Sequence, residues 1–252
     1  MQNWQQNEVL MAVKAYPTPS GQVGEAVCTA GVDREGNWVR VFPVAFRDLA
    51  PARQFKKYQW IRARLKKSGD PRPESYEIDH DSIQCLEAVG TQNKWSLRKE
   101  LIAPHIVDSV EALQTAAEAG VRTMGYVRPA NLPELVIEER PAEWGPRKAA
   151  LLAQGLLFGP TKASLERIPF RFAYRFRCAG AACGEHNMQI LDWEVHQAYR
   201  SWRYEYGAGW REKFVEKFGP SFFETHDVLF NLGNIAKYPQ SFCITGLFYP
   251  LK

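Results

Sequence analysis

The chain has 252 residues, 45% hydrophobic, 24% charged and 13% aromatic, a globular composition that excludes a disordered polyelectrolyte and allows one large domain or two modest ones. Five scattered cysteines exclude a disulfide framework, no apolar run reaches the ~18 residues of a membrane helix, and the opening MQNWQQNEV lacks a secretory pattern, so a soluble cytoplasmic protein with no membrane partner is expected. The net charge of +4 is uneven: residues 1–70 carry 11 basic against 6 acidic side chains, 71–160 carry 9 against 13, and 161–252 carry 12 against 9, which directs any anionic partner to the two ends.

In chain order, the first third reads as β structure. Val9–Ala15 is an apolar run stopped by Pro17 and Pro19, a buried strand. Ala26–Val32 and Trp38–Pro43 flank Asp33-Arg34-Glu35-Gly36-Asn37, whose turn chemistry predicts a hairpin. Tyr58–Leu65 and Ile83–Val89 follow as further strands. Ser96–Leu101 and Ser109–Ala119 carry helix formers and end near Pro104 and Gly120. Extended pieces return at Gly125–Val127 and Leu135–Glu138. The stretch from Pro141 to Pro160 reads as a connection with a short helix. Beyond it come a strand over 170–177, a strand over Met188–Asp192, helices over Glu194–Tyr204 and Trp210–Phe218, and strands over Val228–Leu232 and Phe242–Phe248.

Three segments carry candidate chemistry. In WIRARLK, strand alternation turns Ile61, Ala63 and Leu65 inward and gathers Trp60, Arg62, Arg64 and Lys66 on the outer face, with Lys56 and Lys57 flanking. A flat aromatic beside cations suits a nucleic-acid backbone and a stacked base; protection of an edge strand by charge is the plainer alternative. The strand over 170–178 repeats the design, with Phe170, Phe172, Tyr174, Phe176 and Cys178 on one face and Arg171, Arg175 and Arg177 on the other. Its aromatic face is core packing, and its arginine face suits phosphate or carboxylate.

The third segment is Cys178-x4-Cys183-x2-His186. Thiolate and imidazole are the donors zinc prefers, and short loops between them lower the entropy cost of gathering them. The intervening Ala-Gly-Ala-Ala leaves room for a tight turn, and His196 on the next helix is the first choice for a fourth ligand. Two buried cysteines and a surface histidine are the ordinary alternative. Asp192 and Glu194, where a strand turns into a helix, could instead hold Mg²⁺ for phosphodiester cleavage, although a capping aspartate accounts for the same pattern.

The expected fold class is α+β: a β-rich, barrel-like N-terminal domain over 1–145 with a helical insert, a connecting segment over 146–167, and a smaller α+β domain over 168–252 built on the candidate zinc hairpin. At the level of architecture alone, the first part resembles small base-binding barrels of the PUA or ASCH kind, a resemblance that carries no residues across. The expected function is nucleic-acid binding, DNA or RNA, with a structural zinc centre. A metal-dependent nuclease or hydrolase using Asp192 and Glu194, or a protein-interaction module, is the alternative.

Overall fold

The computed structural model describes residues 3–158, 164–180 and 183–252. The chain is mixed α+β and strand-rich, and it divides into two compact units, neither of them a continuous stretch. One comprises Met1–Val89 with Arg140–Pro169; the other comprises Gly90–Glu139 with Phe170–Lys252.

The first unit is a closed barrel of five strands. β1 (Gln5–Lys14) pairs with both β3 (Gly24–Asp33) and β5 (Gln59–Lys67), β3 continues to β4 (Trp38–Val44), and β4 runs parallel to β6 (Ser75–Ile78), which returns to β5. β2 (Thr18–Ser20) adds to β3 and β7 (Gln84–Ala88) adds to β5. The apolar run at Val9–Val13 is buried throughout, as expected of a strand covered on both faces. Gly31 is required where β3 crosses β1, because a Cβ there would lie 1.9 Å from the Leu10 carbonyl oxygen.

The chain then enters the second unit through α1 (Gln92–Ile102). Asn93, Lys94 and Trp95 are left-handed, so the helix proper matches the expected Ser96–Leu101. β8 (Ile106–Val107), α2 (Val110–Glu118), β9 (Met124–Val127) and β10 (Pro129–Glu139) follow. Ser109 caps α2, its hydroxyl accepting from the Ala112 amide at 3.1 Å. α3 (Pro146–Phe158) lies back in the first unit, so part of the expected connection is a helix with contacts to β2 and β3. The remainder of that expected connection includes 159–163, outside the described residues.

β11 (Phe170–Cys178) and β12 (His186–Gln189) form a three-stranded sheet with β10 at its edge. After them come α4 (Trp193–Tyr206), α5 (Trp210–Phe218), α6 (Pro220–Thr225), β13 (Leu229–Ile235) and β14 (Tyr238–Phe248). β14, β13, β9 and β8 make a second sheet. The aromatic face of β11 is core, as expected: Phe172 stacks on Phe214 at 4.3 Å between ring centroids, and Tyr174 stacks on Phe230 at 5.0 Å. The linear domain division at 145 and 168 does not coincide with the two units. Pairing of β10 with β11 and of β9 with β13 draws 90–139 into the second unit, and local sequence patterns do not report long-range pairing of this kind.

Candidate metal centre

β11 delivers Cys178 at its last position, opposite Pro129 of β10, and β12 begins at His186, opposite Phe176. The chain between them turns sharply. Ala179 donates to the Arg128 carbonyl at 2.9 Å, and the Cys183 amide donates to Gly180 at 3.3 Å. Gly180 lets the turn close on the residues before α2, since a Cβ there would lie 2.5 Å from the Asp108 carbonyl oxygen. Ala181 and Ala182, half of the small-residue spacer, lie outside the described residues.

The turn brings Cys178, Cys183 and His186 together as a group that could hold a metal ion, with ligand atoms all within 4.8 Å of one another. Cys178 is buried and the other two are half-buried. Donors of a tetrahedral zinc, at about 2.0–2.3 Å from the ion, stand roughly 3.3–3.8 Å apart, so the three need to close by about 1.5 Å at most. The Cys178 amide donates to the Cys183 sulfur at 2.9 Å, which orients the second cysteine. Burial pushes the Cys178 thiol up to about 12, helped by its hydrogen bond with Cys183 and opposed by the Val110 amide at the start of α2. The protein alone therefore does not hold a thiolate there; a neighbouring cation would.

Glu111, in the first turn of α2, stands beside this group and is a neighbour that sequence reasoning missed. Its Oε1 accepts from the Gly184 amide at 2.9 Å and stands 3.2 Å from His186 Nε2. Burial alone would raise its carboxyl. The amides of Gly184 and of Glu111 itself, the Ser109 hydroxyl and His186 outweigh that and hold it at about 2. Only the placement of Ser109-Val110-Glu111 at a helix start was visible in the sequence, and that signals a cap rather than a ligand.

Other expected site residues are placed elsewhere. His196 is buried against Phe172, at 5.6 Å between rings, with Nδ1 at 2.8 Å from the Asp192 carbonyl. Phe172 is six residues up β11 from Cys178, roughly 20 Å along a strand, so His196 is not the fourth ligand. Asp192 is 1% exposed and spends its carboxylate on backbone amides: Oδ1 accepts from Glu194 and Val195, and Oδ2 from Leu247 at 2.9 Å. It is the cap of α4, and Glu194 lies exposed in the first turn beside it. Among the described residues, these two join no group of metal-ligand type.

The matches to known families fall on this geometry. Residues 106–252 match a family model described as a domain of unknown function, DUF8757, and residues 5–104 match a second one, DUF8758. The chain belongs to the DUF8757 family. Glu111, Cys178, Cys183 and His186 all lie inside the DUF8757 match. No curated protein matches the chain.

The cationic strands have partners of their own. On β5, Ile61, Ala63 and Leu65 are buried as expected, but Trp60 is only 5% exposed, capped by the Arg34 guanidinium at 3.6 Å. Arg62 pairs with Glu8 at 2.6 Å, Arg64 with Asp79, and Lys66 with Glu77 at 2.9 Å. Nor is β5 an edge, since β1, β6 and β7 all pair with it. Lys56 is exposed and Lys57 half-buried on the approach to it. On β11, Arg171 pairs with Glu138 at 3.0 Å and Arg175 with Glu134 at 2.7 Å, while Arg177 is exposed. No helix among the described residues is long and apolar enough to cross a membrane.

Proposed function

We propose that this protein carries a structural zinc centre, held by Cys178, Cys183 and His186, which fixes the β11–β12 hairpin within its α+β unit. The observation that supports it is the convergence of two sulfurs and an imidazole, a soft donor set that suits zinc and does not suit magnesium or calcium. Zinc supplies a fixed tetrahedral centre with no redox chemistry of its own. The protein's residues do the rest. Cys178 anchors the end of β11, the Cys178 amide aims Cys183, and the Phe176 ring packs beside His186 at 5.7 Å between centroids.

Nucleic-acid contact by β5 and β11 is a separate proposal and a weaker one. A phosphate would have to compete with Glu8, Asp79, Glu77, Glu138 and Glu134 for the same cations. The zinc reading does not depend on it. Native mass spectrometry of protein purified without added metal tests the centre. About one zinc per chain is expected, absent in Cys178→Ser and in His186→Ala; a metal-free wild-type chain that keeps its folded hairpin refutes it.

A further inference from the structure

The geometry points to Glu111 as the fourth ligand, which makes the centre a closed site of two cysteines, one histidine and one glutamate that staples the first turn of α2 to the β11–β12 hairpin. This rests on the zinc reading above.

Two buried polar atoms carry the inference. Glu111 Oε2 and His186 Nε2 are both sealed from solvent and neither has a hydrogen-bond partner. A buried carboxylate oxygen and a buried imidazole nitrogen left unpaired are each costly, so a native structure rarely keeps two side by side. They also fail to satisfy each other: Nε2 lies 3.2 Å from Glu111 Oε1 without the alignment of a hydrogen bond. A shared ion would satisfy both of these atoms at once.

The backbone supports the same assignment. Gly184, between Cys183 and His186, donates to Glu111 Oε1 at 2.9 Å, which leaves Oε2 as the uncommitted oxygen. A Cβ at Gly184 would come within 3.4 Å of Oε1, so the glycine keeps the loop close to the carboxylate. On the other side, the Val110 amide donates to Cys178, so both the thiol and the carboxylate are gathered at the start of α2. With two thiolates, one carboxylate and one neutral imidazole, a divalent ion leaves a net charge of −1, the same as a zinc site of three cysteines and one histidine. His196, the other histidine near in sequence, is committed elsewhere.

A closed site and an open one differ in a property that can be measured. Zinc is replaced by Co²⁺, and the cobalt absorption bands are recorded with and without azide, in the wild type, Glu111→Ala and Glu111→Gln. With Glu111 bound, azide leaves the wild-type spectrum unchanged, shifts the bands of Glu111→Ala, and the variants lose metal to a competing chelator on the order of 100-fold faster. Glu111→Gln retains an oxygen for the Gly184 amide, so its faster loss cannot be assigned to a broken loop, and circular dichroism of both variants checks the fold. Azide bands in the wild type would place water in the fourth position and overturn the assignment. So would wild-type retention of metal in both variants. A wild-type chain that binds no cobalt or zinc removes the centre itself, an outcome distinct from a centre that binds metal without Glu111.

Discussion

The cationic face of β5 and the turn between β11 and β12 treat polar atoms in opposite ways. On the outer face of β5 three cations meet counter-charges from neighbouring segments: Arg62 meets Glu8, Arg64 meets Asp79 and Lys66 meets Glu77. At the turn, two thiols and an imidazole converge with a carboxylate beside the imidazole, and one nitrogen of the imidazole and one oxygen of the carboxylate stay buried and unpartnered. A surface that satisfies itself needs no further partner; a cluster that does not is where the proposed metal would sit. Charge in the sequence drew attention to the first region, yet satisfaction of hydrogen bonds singles out the second.

The contrast breaks most decisively at the cluster. Cys178→Ser is expected to abolish zinc binding and destabilise its unit by on the order of 5 kcal/mol, since loss of a structural metal is among the few changes that cost so much. Denaturant unfolding, with zinc content measured on the same samples, checks it; a variant as stable as the wild type would reduce the cluster to ordinary core cysteines.

Next in size is the buried ion pair of the barrel. Arg40 and Glu74 lie 3.5 Å apart with side chains only 3% and 4% exposed. Glu74→Ala strands a buried guanidinium and is expected to cost about 3–5 kcal/mol, whereas the joint Arg40→Met, Glu74→Leu replacement costs less than Glu74→Ala alone. Equal losses in both would show that packing, not charge, is at stake there. Asp192→Ala removes the α4 cap and leaves the buried Leu247 amide without its acceptor, for an expected loss of about 2–4 kcal/mol. Zinc content should not change in that variant, and a fall in it would tie Asp192 to the metal after all.

A smaller effect depends on pH. Burial lowers the pKa of His80, whose neutral Nε2 accepts the Ala45 amide at 3.0 Å. The unfolded chain therefore binds this proton more readily than the folded one. The contribution is complete above the ordinary histidine value of 6.5 and is lost as the pH falls through the lower folded value. Stability followed across that window should decline toward acid in the wild type, and less in His80→Gln. The smallest expected change is at the face of β5. Arg62→Ala, at a side chain 43% exposed, should leave stability nearly unchanged and should not alter binding to a single-stranded oligonucleotide. A salt-sensitive drop in that binding would restore the cationic face as a nucleic-acid surface.

Much of this architecture is legible in the sequence alone. Apolar runs marked β1, β3, β4 and β5, the turn at 33–37 marked a hairpin, and alternation on β11 separated its aromatic core face from its arginines. Short elements such as β2, β6 and β8 escaped, because two to four residues give a period too little length to register. Cys178, Cys183 and His186 were legible as a set because a single turn of nine residues gathers them. His196 misled for the same reason: nearness along the chain stood in for nearness in space, and α4 carries it to Phe172.

By itself, then, the sequence determined which segments become strands and helices, and which three donors share a turn, since both follow from local periodicity and short loop closure. Tertiary structure alone decided that 90–139 joins 170–252, that β5's cations are neutralised by Glu8, Asp79 and Glu77, and that Glu111 meets His186. Each of these is a contact between residues far apart in sequence, chosen by the pairing of strands and the burial of a shared core, and no local pattern encodes which distant partner that will be.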